Sequence, residues 1–110
     1  MNEEEKVNRR RFERVHTLAG MWVSWTIGSR TLVSPVTDLG VGGIFVVTPN
    51  PEPLESRVEL KFVVQEGEIR AVGTVRYSML GKGMGIEFSD LADRDLNCLH
   101  RLIQRLSQRN

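Results

Sequence analysis

One hundred and ten residues, 40% hydrophobic and 26% charged, suffice for one domain around one core, which excludes both wholesale disorder and a second domain. Fifteen Lys+Arg against fourteen Asp+Glu leave a formal net charge of +1, so no global basic field draws nucleic acid or anionic lipid from a distance. A single cysteine, Cys98, excludes an internal disulfide framework and any multi-cysteine metal cage, and fits a reducing compartment.

The first sixteen residues hold nine charges, Glu3 to Glu5 and then Lys6, Arg9, Arg10, Arg11, Glu13 and Arg14, with only Val7, Phe12 and Val15 as apolar anchors. Residues 1–16 are therefore expected to be a flexible segment preceding a single domain over 17–110. The stretch Met1-Asn2-Glu3-Glu4-Glu5-Lys6 has no apolar segment that could act as a secretory signal and no apolar run elsewhere approaches bilayer length, so a cytoplasmic protein without membrane insertion is expected. From Met21 the apolar period becomes two: Met21, Val23, Trp25 and Ile27 form one face of a half-buried strand, with Trp22 on the other. Trp25 is expected in the core and Trp22 beneath the C-terminal helix or at an exposed surface, the first being favoured.

A Gly28-Ser29 turn leads into a β-rich stretch from Thr31 to Thr37, where Pro35 argues for an edge, bulge or bend. The segment Asp38-Leu39-Gly40-Val41-Gly42-Gly43 interrupts the pattern, and Ile44 to Val47 reads as a strand buried on both faces. Pro49-Asn50-Pro51-Glu52-Pro53 forms a loop. Val58, Leu60, Phe62 and Val64 then make one strand and Ile69, Ala71, Gly73, Val75 and Tyr77 the next, a hairpin across Gln65–Glu68. Met84, Ile86 and Phe88 alternate in a last strand after the turn at Gly81-Lys82-Gly83. Six strands with short connections predict an antiparallel barrel or a strongly coiled sheet, since closure removes the exposed edges of a small β-domain.

The final segment changes to helical period over about 90–108. Leu96, Leu99, Leu102, Ile103 and Leu106 form one stripe with Arg94, Arg101, Arg105 and Arg109 turned away from it. Ser89 or Asp90 is the expected cap, with Asp93 and Asp95 favourable in the first turns. The predicted fold class is thus all-β with a C-terminal helix.

Catalysis finds little material. His16 and His100 lack metal-pair spacing, Cys98 has no base beside it in sequence, and neither a nucleophile–base pair nor a metal site is predicted, so the chain is expected not to be an enzyme. Anion chemistry is better provided. Arg9-Arg10-Arg11-Phe12-Glu13-Arg14 offers guanidinium groups that fork onto phosphate or onto the O6/N7 edge of guanine and stack on a purine face. In Asp38-Leu39-Gly40-Val41-Gly42-Gly43 the glycines allow close backbone approach, and Asp38 can accept from the guanine N1–H and N2–H pair. The glycines alone also fit a tight inter-strand turn. An OB-like barrel for single-stranded nucleic acid lacks its run of stacking aromatics here, so DNA and RNA are not expected partners.

The order Arg10-x-x-x-Arg14, a strand pair, Asp38-x-Gly40-x-x-Gly43, and Gly85-Ile86-Glu87-Phe88 before a helix resembles the PilZ domain family, whose pattern is RxxxR followed by (D/N)xSxxG. The resemblance runs from about Arg9 to the C-terminus. It implies a six-stranded PilZ-type antiparallel β-barrel with a flexible N-terminal arginine-rich segment and a C-terminal helix. It further implies a receptor or adaptor that binds cyclic di-GMP, changes its N-terminal segment on binding and signals to a protein effector. No cofactor and no metal are implied. Carried over, Arg10 and Arg14 clamp guanine and phosphate, Asp38 binds a guanine edge, and Gly40 to Gly43 form the turn beneath it. Arg9, directly before the pair, goes in such domains with an intercalated ligand dimer, and a homodimer is left open. Tyr77 lies near a position that carries an aromatic in many members, and it either lines the site or points into the core. One departure stands out: the family's serine is Gly40. A missing hydrogen bond of about 0.5–1.5 kcal/mol predicts roughly two- to tenfold weaker binding, and the alternative is a degenerate adaptor that binds protein but no nucleotide.

Overall fold

The structure is a computed structural model that describes residues 14–16, as backbone, and 20–108. Among the described residues seven strands and one helix follow in order: β1 (Arg14–His16), β2 (Trp22–Ile27), β3 (Arg30–Gly40), β4 (Gly43–Val47), β5 (Arg57–Val64), β6 (Gly67–Met79), β7 (Gly83–Asp90) and α1 (Asp93–Ser107). Every pairing is antiparallel, and the circuit β2–β3–β4–β7–β6–β5–β2 closes a six-stranded barrel. Of the two arrangements the strand pattern allows, the closed barrel is the one formed, and the terminal helix lies where the helical period predicts. β1 adds a short seventh strand: Arg14, Val15 and His16 pair with Gly40, Leu39 and Asp38 on the edge of β3 beyond the end of β2.

Period-two sequences produce one filled interior. Val23 and Trp25 of β2, Leu39 of β3, Val46 of β4, Val58 and Leu60 of β5, Ile69 and Val75 of β6, and Met84 and Ile86 of β7 are all buried. Trp25 is fully enclosed, and its indole N–H donates to Ser34 Oγ at 2.9 Å across the β2–β3 pair, so its one polar atom keeps a partner inside the barrel. Trp22 is 52% exposed on the outer face, not under the helix; the helix packs against β6 and β1 and does not reach that face.

The leucine stripe of α1 closes the core, with Leu99, Leu102 and Ile103 buried and Leu106 partly so. Its start differs from expectation. Ser89 and Asp90 stay in the ladder of β7, Ser89 Oγ donating to the carbonyl of Val72 and Asp90 pairing with that residue, so the N-cap is Ala92 with no side-chain cap. Asp95 compensates in tertiary structure: its buried carboxylate accepts from the backbone N–H of Arg70 at 2.9 Å, on the stretch of β6 that extends past the end of β7. At the other end, Arg105 donates to both oxygens of Glu66, Nε at 2.6 Å and Nη2 at 3.1 Å. The Glu66 side chain is only 9% exposed, and the Arg105 bond holds its carboxyl below the usual carboxylate range against the opposing effect of burial. Two further bonds reach the carbonyl of Glu66, from Cys98 Sγ and Arg101 Nη2. Cys98 is therefore a buried helix anchor, packed on the β5–β6 turn.

Candidate functional site

The segment from Asp38 to Gly43, expected to interrupt the strands, is mostly strand. β3 continues through Gly40, β4 begins at Gly43, and only Val41 and Gly42 make the connection. What the sequence conceals is a β-bulge at Thr37: Val36 pairs with Val46, yet Asp38 pairs with Phe45, so one extra residue sits in β3. Strict alternation from buried Val36 would aim Asp38 into the barrel, where an ionised carboxylate is costly. The extra residue turns Asp38 onto the outer face and returns Leu39 to the core. Thr37 Oγ1 donates to Asp38 Oδ2 at 3.3 Å.

A second bulge faces the first. Val75 pairs with Ile86 and Tyr77 with Gly85, leaving Arg76 as the extra residue in β6. Alternation would send Tyr77 inward with Val75; the bulge brings it outward beside Arg76, where it is 44% exposed. Tyr77 therefore lines the outer surface, and the inward alternative is excluded. Its ring stacks with Phe45 at a centroid distance of 6.0 Å and an interplanar angle of 29°. Both rings lean over β7 because Gly83 and Gly85 present no side chains there. A Cβ on Gly85 would lie 2.9 Å from Tyr77 Cδ1 and closer still to Cε1 and Cζ. Asp38, Phe45, Gly85 and Tyr77 thus form one cross-strand row over β3, β4, β7 and β6, about 14 Å long at ordinary strand spacing.

Beside this row opens a cleft of about 420 Å³, bounded by Asp38, Gly42 and Gly43 on one side and by Arg76, Tyr77 and Glu87 on the other. Arg76 is held by two carboxylates, its Nε donating to Glu87 Oε1 at 2.7 Å and its Nη1 to Glu55 Oε1 and Oε2 at 3.1 and 3.2 Å. These bonds raise its already high pKa, with the Glu87 hydrogen bond the largest cause. The cleft therefore offers an aromatic wall, carboxylates on two sides and a fixed guanidinium. Among the described residues no group of three or more His, Cys, Asp or Glu could hold a metal ion, and no helix is long and apolar enough to cross a membrane.

Of the residues singled out in the sequence, Asp38 and Gly43 line this cleft together. Gly40 does not: it is buried in β3, opposite Arg14 of β1. Gly43 is required by close packing, since a Cβ there would overlap the carbonyl oxygen of Ile86. Arg14 enters the neighbourhood through its backbone pairing, two residues along β3 from Asp38, while Arg9 and Arg10 lie outside the described residues. Sequence reasoning missed Arg76, Glu55, Glu87 and Phe45. A signal for them existed in Gly83-x-Gly85, glycines at the outward positions of a strand, which indicate that something lies across it.

The described residues thus form a closed antiparallel barrel sealed by a C-terminal helix, with a carboxylate-and-arginine cleft on its outer face. The PilZ domain model matches residues 8–105, and the chain belongs to that family. Among solved structures, the PilZ domain with c-di-GMP of YcgR from Escherichia coli is similar at 17% identity and a TM-score of 0.72, covering 91% of this chain and 92% of that one. The inhibitor of motility MotI/DgrA of Bacillus subtilis is similar at 20% identity, TM-score 0.71, over 91% of this chain and 54% of that one. The K. pneumonia MrkH–c-di-GMP complex matches at 16% identity, TM-score 0.73, over 90% and 52%. The chain thus spans about half the length of the latter two. A search of curated proteins for similar sequences finds no match.

Proposed function

We propose that this chain is a receptor for cyclic di-GMP that performs no chemistry on its ligand and passes the binding event to a protein partner. The observation that carries the reading is the bulge that lifts Asp38 out of the core into the cleft, two residues from the point where β3 pairs with Arg14. Membership of the PilZ family and the cyclic di-GMP complexes of two similar structures support the choice of ligand.

In this reading Asp38 accepts from the N1–H and N2–H edge of guanine, and Gly43 keeps the β4 backbone close to the ligand. Arg10 and Arg14 supply charge-assisted bonds to phosphate and guanine, each about 1.5–3 kcal/mol. Arg9 adds a third guanidinium, and its place before the pair favours an intercalated ligand dimer. Gly40 contributes backbone alone, so one hydroxyl contact is missing and affinity falls about two- to tenfold from that of a serine-bearing site. The N-terminal segment acts as the switch: β1 pairs along the edge of β3 and touches α1, so a ligand-dependent change in the residues before it alters a surface a partner can read. The protein acts in the cytoplasm, without DNA, RNA or a cofactor. The buried, hydroxyl-free Gly40 favours one second reading, a nucleotide-blind protein adaptor.

Isothermal titration with cyclic di-GMP, run beside cyclic di-AMP and the Arg10→Ala variant, separates the two. The receptor gives saturable, guanine-selective heat that Arg10→Ala reduces at least tenfold. The adaptor gives no heat with either nucleotide.

A further inference from the structure

We infer that Arg76, outside both motif segments, is a specificity-determining residue that reads the O6/N7 edge of guanine, with Glu55 and Glu87 as the positioning residues that aim it. The inference rests on the receptor reading above.

Four observations carry it. First, Arg76 is the extra residue of the β6 bulge and lines the same cleft as Asp38. A bulge interrupts a ladder, and here it places Arg76 and Tyr77 side by side on one surface. Second, Arg76 is fixed. Glu87 of β7 takes Nε and Glu55, from the loop before β5, takes Nη1. Glu55 itself is held by its backbone N–H, which donates to the carbonyl of Val75 at 2.9 Å, and it takes a left-handed φ of 71°.

Third, the ion pairs are exposed at all three side chains, and exposed pairs contribute about 0–1 kcal/mol, so stability does not account for two carboxylates on one arginine. Their effect is to fix the guanidinium plane while Nη2 makes no hydrogen bond to any described residue. Fourth, the surroundings select the acceptor. Glu87 and Glu55 already balance the charge of Arg76, so its remaining N–H groups favour a neutral base edge over a second anion.

Guanine suits this arrangement on all sides. Its N1–H and N2–H edge meets the Asp38 carboxylate, its O6 and N7 accept from a guanidinium, and its face has the Phe45–Tyr77 wall beside it. Adenine presents an N6 donor where guanine presents O6, which would set two donors against each other at Nη2.

The test is titration of the wild-type chain, Arg76→Lys, Glu87→Gln and Glu55→Gln with cyclic di-GMP and cyclic di-AMP at two salt concentrations, with thermal melting of each variant. Arg76→Lys keeps the charge and loses the fixed fork. The expected result is about ten- to hundredfold weaker cyclic di-GMP binding, a narrower preference over cyclic di-AMP, an unchanged salt dependence and a melting temperature near wild type. Glu87→Gln and Glu55→Gln are expected to lose less, in the same direction. Wild-type binding left intact by Arg76→Lys would overturn the assignment alone. A loss equal for both nucleotides would also overturn it, by making Arg76 a contact to the phosphate backbone they share. Absence of wild-type binding would overturn the receptor reading and this assignment with it.

Discussion

Gly85→Ala tests the packing that builds the aromatic wall. The new Cβ would stand 2.9 Å from Tyr77 Cδ1 and nearer to Cε1 and Cζ, well inside van der Waals contact, so the ring must leave its place over β7 and give up its stack on Phe45. Overpacking of this kind costs about 1–3 kcal/mol, partly offset by the roughly 0.5–1 kcal/mol that alanine gains over glycine in a strand. A net loss near 1–2 kcal/mol is expected. In urea unfolding, with m about 1–2 kcal/mol/M for a domain of this size, the midpoint falls by about 1 M. The obstacle is a side chain, so the double variant Gly85→Ala/Tyr77→Ala should be about as stable as Tyr77→Ala alone, a coupling of about 1–2 kcal/mol. Gly43→Ala supplies the contrast, because its Cβ meets the backbone oxygen of Ile86 and no side-chain truncation relieves it. A Gly85→Ala chain as stable as wild type, or a double variant whose losses simply add, would refute the account of how Tyr77 is held.

Three further outcomes follow from the anchoring of the helix and from the cleft. Glu66→Gln removes the charge from a nearly buried bidentate partner of Arg105 and should cost about 1.5–3 kcal/mol, lowering the melting temperature by roughly 6–15 °C in calorimetry. Arg105 depresses the Glu66 pKa, so this stabilisation is complete above the ordinary carboxylate value of 4.5 and is lost as pH falls through the lower folded value; the gap between wild type and Glu66→Gln should close below about pH 4.5. Asp95→Ala strips the Arg70 backbone N–H of its partner and should lower stability by about 1–3 kcal/mol, with increased hydrogen exchange at Arg70 as the local sign. Asp38→Ala should weaken cyclic di-GMP binding more than cyclic di-AMP binding in paired titrations; equal losses would count against a guanine-edge role for this carboxylate.

The fold was legible because the strands outside the bulges kept their period. Val58 to Val64 and Met84 to Phe88 alternate without interruption, and the switch to a leucine stripe after Leu91 could only be a helix. The cleft was half legible. Asp38 and Gly43 carried a motif, but the means by which Asp38 leaves the core is a bulge, and a bulge is invisible to a reading that counts by twos. Tyr77 shows the same failure from the other side: continued from Val75 it counts as inward, and only the extra residue Arg76 turns it out. The helix cap failed for a different reason. Ser89 and Asp90 are good local caps, but the ladder to Val72 claims both, and tertiary pairing outweighs a local preference worth about 1 kcal/mol. Trp22 was misplaced because the side of the barrel that a terminal helix covers is set by long-range packing, here through Asp95 and Arg105, and not by any pattern near residue 22.

The most direct test of the receptor assignment is a ¹H–¹⁵N spectrum of the labelled chain titrated with cyclic di-GMP. The account predicts saturable shifts concentrated at Arg10 and Arg14, at Asp38 to Gly43, and at Arg76, Tyr77, Gly85 and Glu87, with the outer face around Ser24, Lys61 and Arg70 unmoved. An unchanged spectrum, or shifts centred on that opposite face, would contradict it.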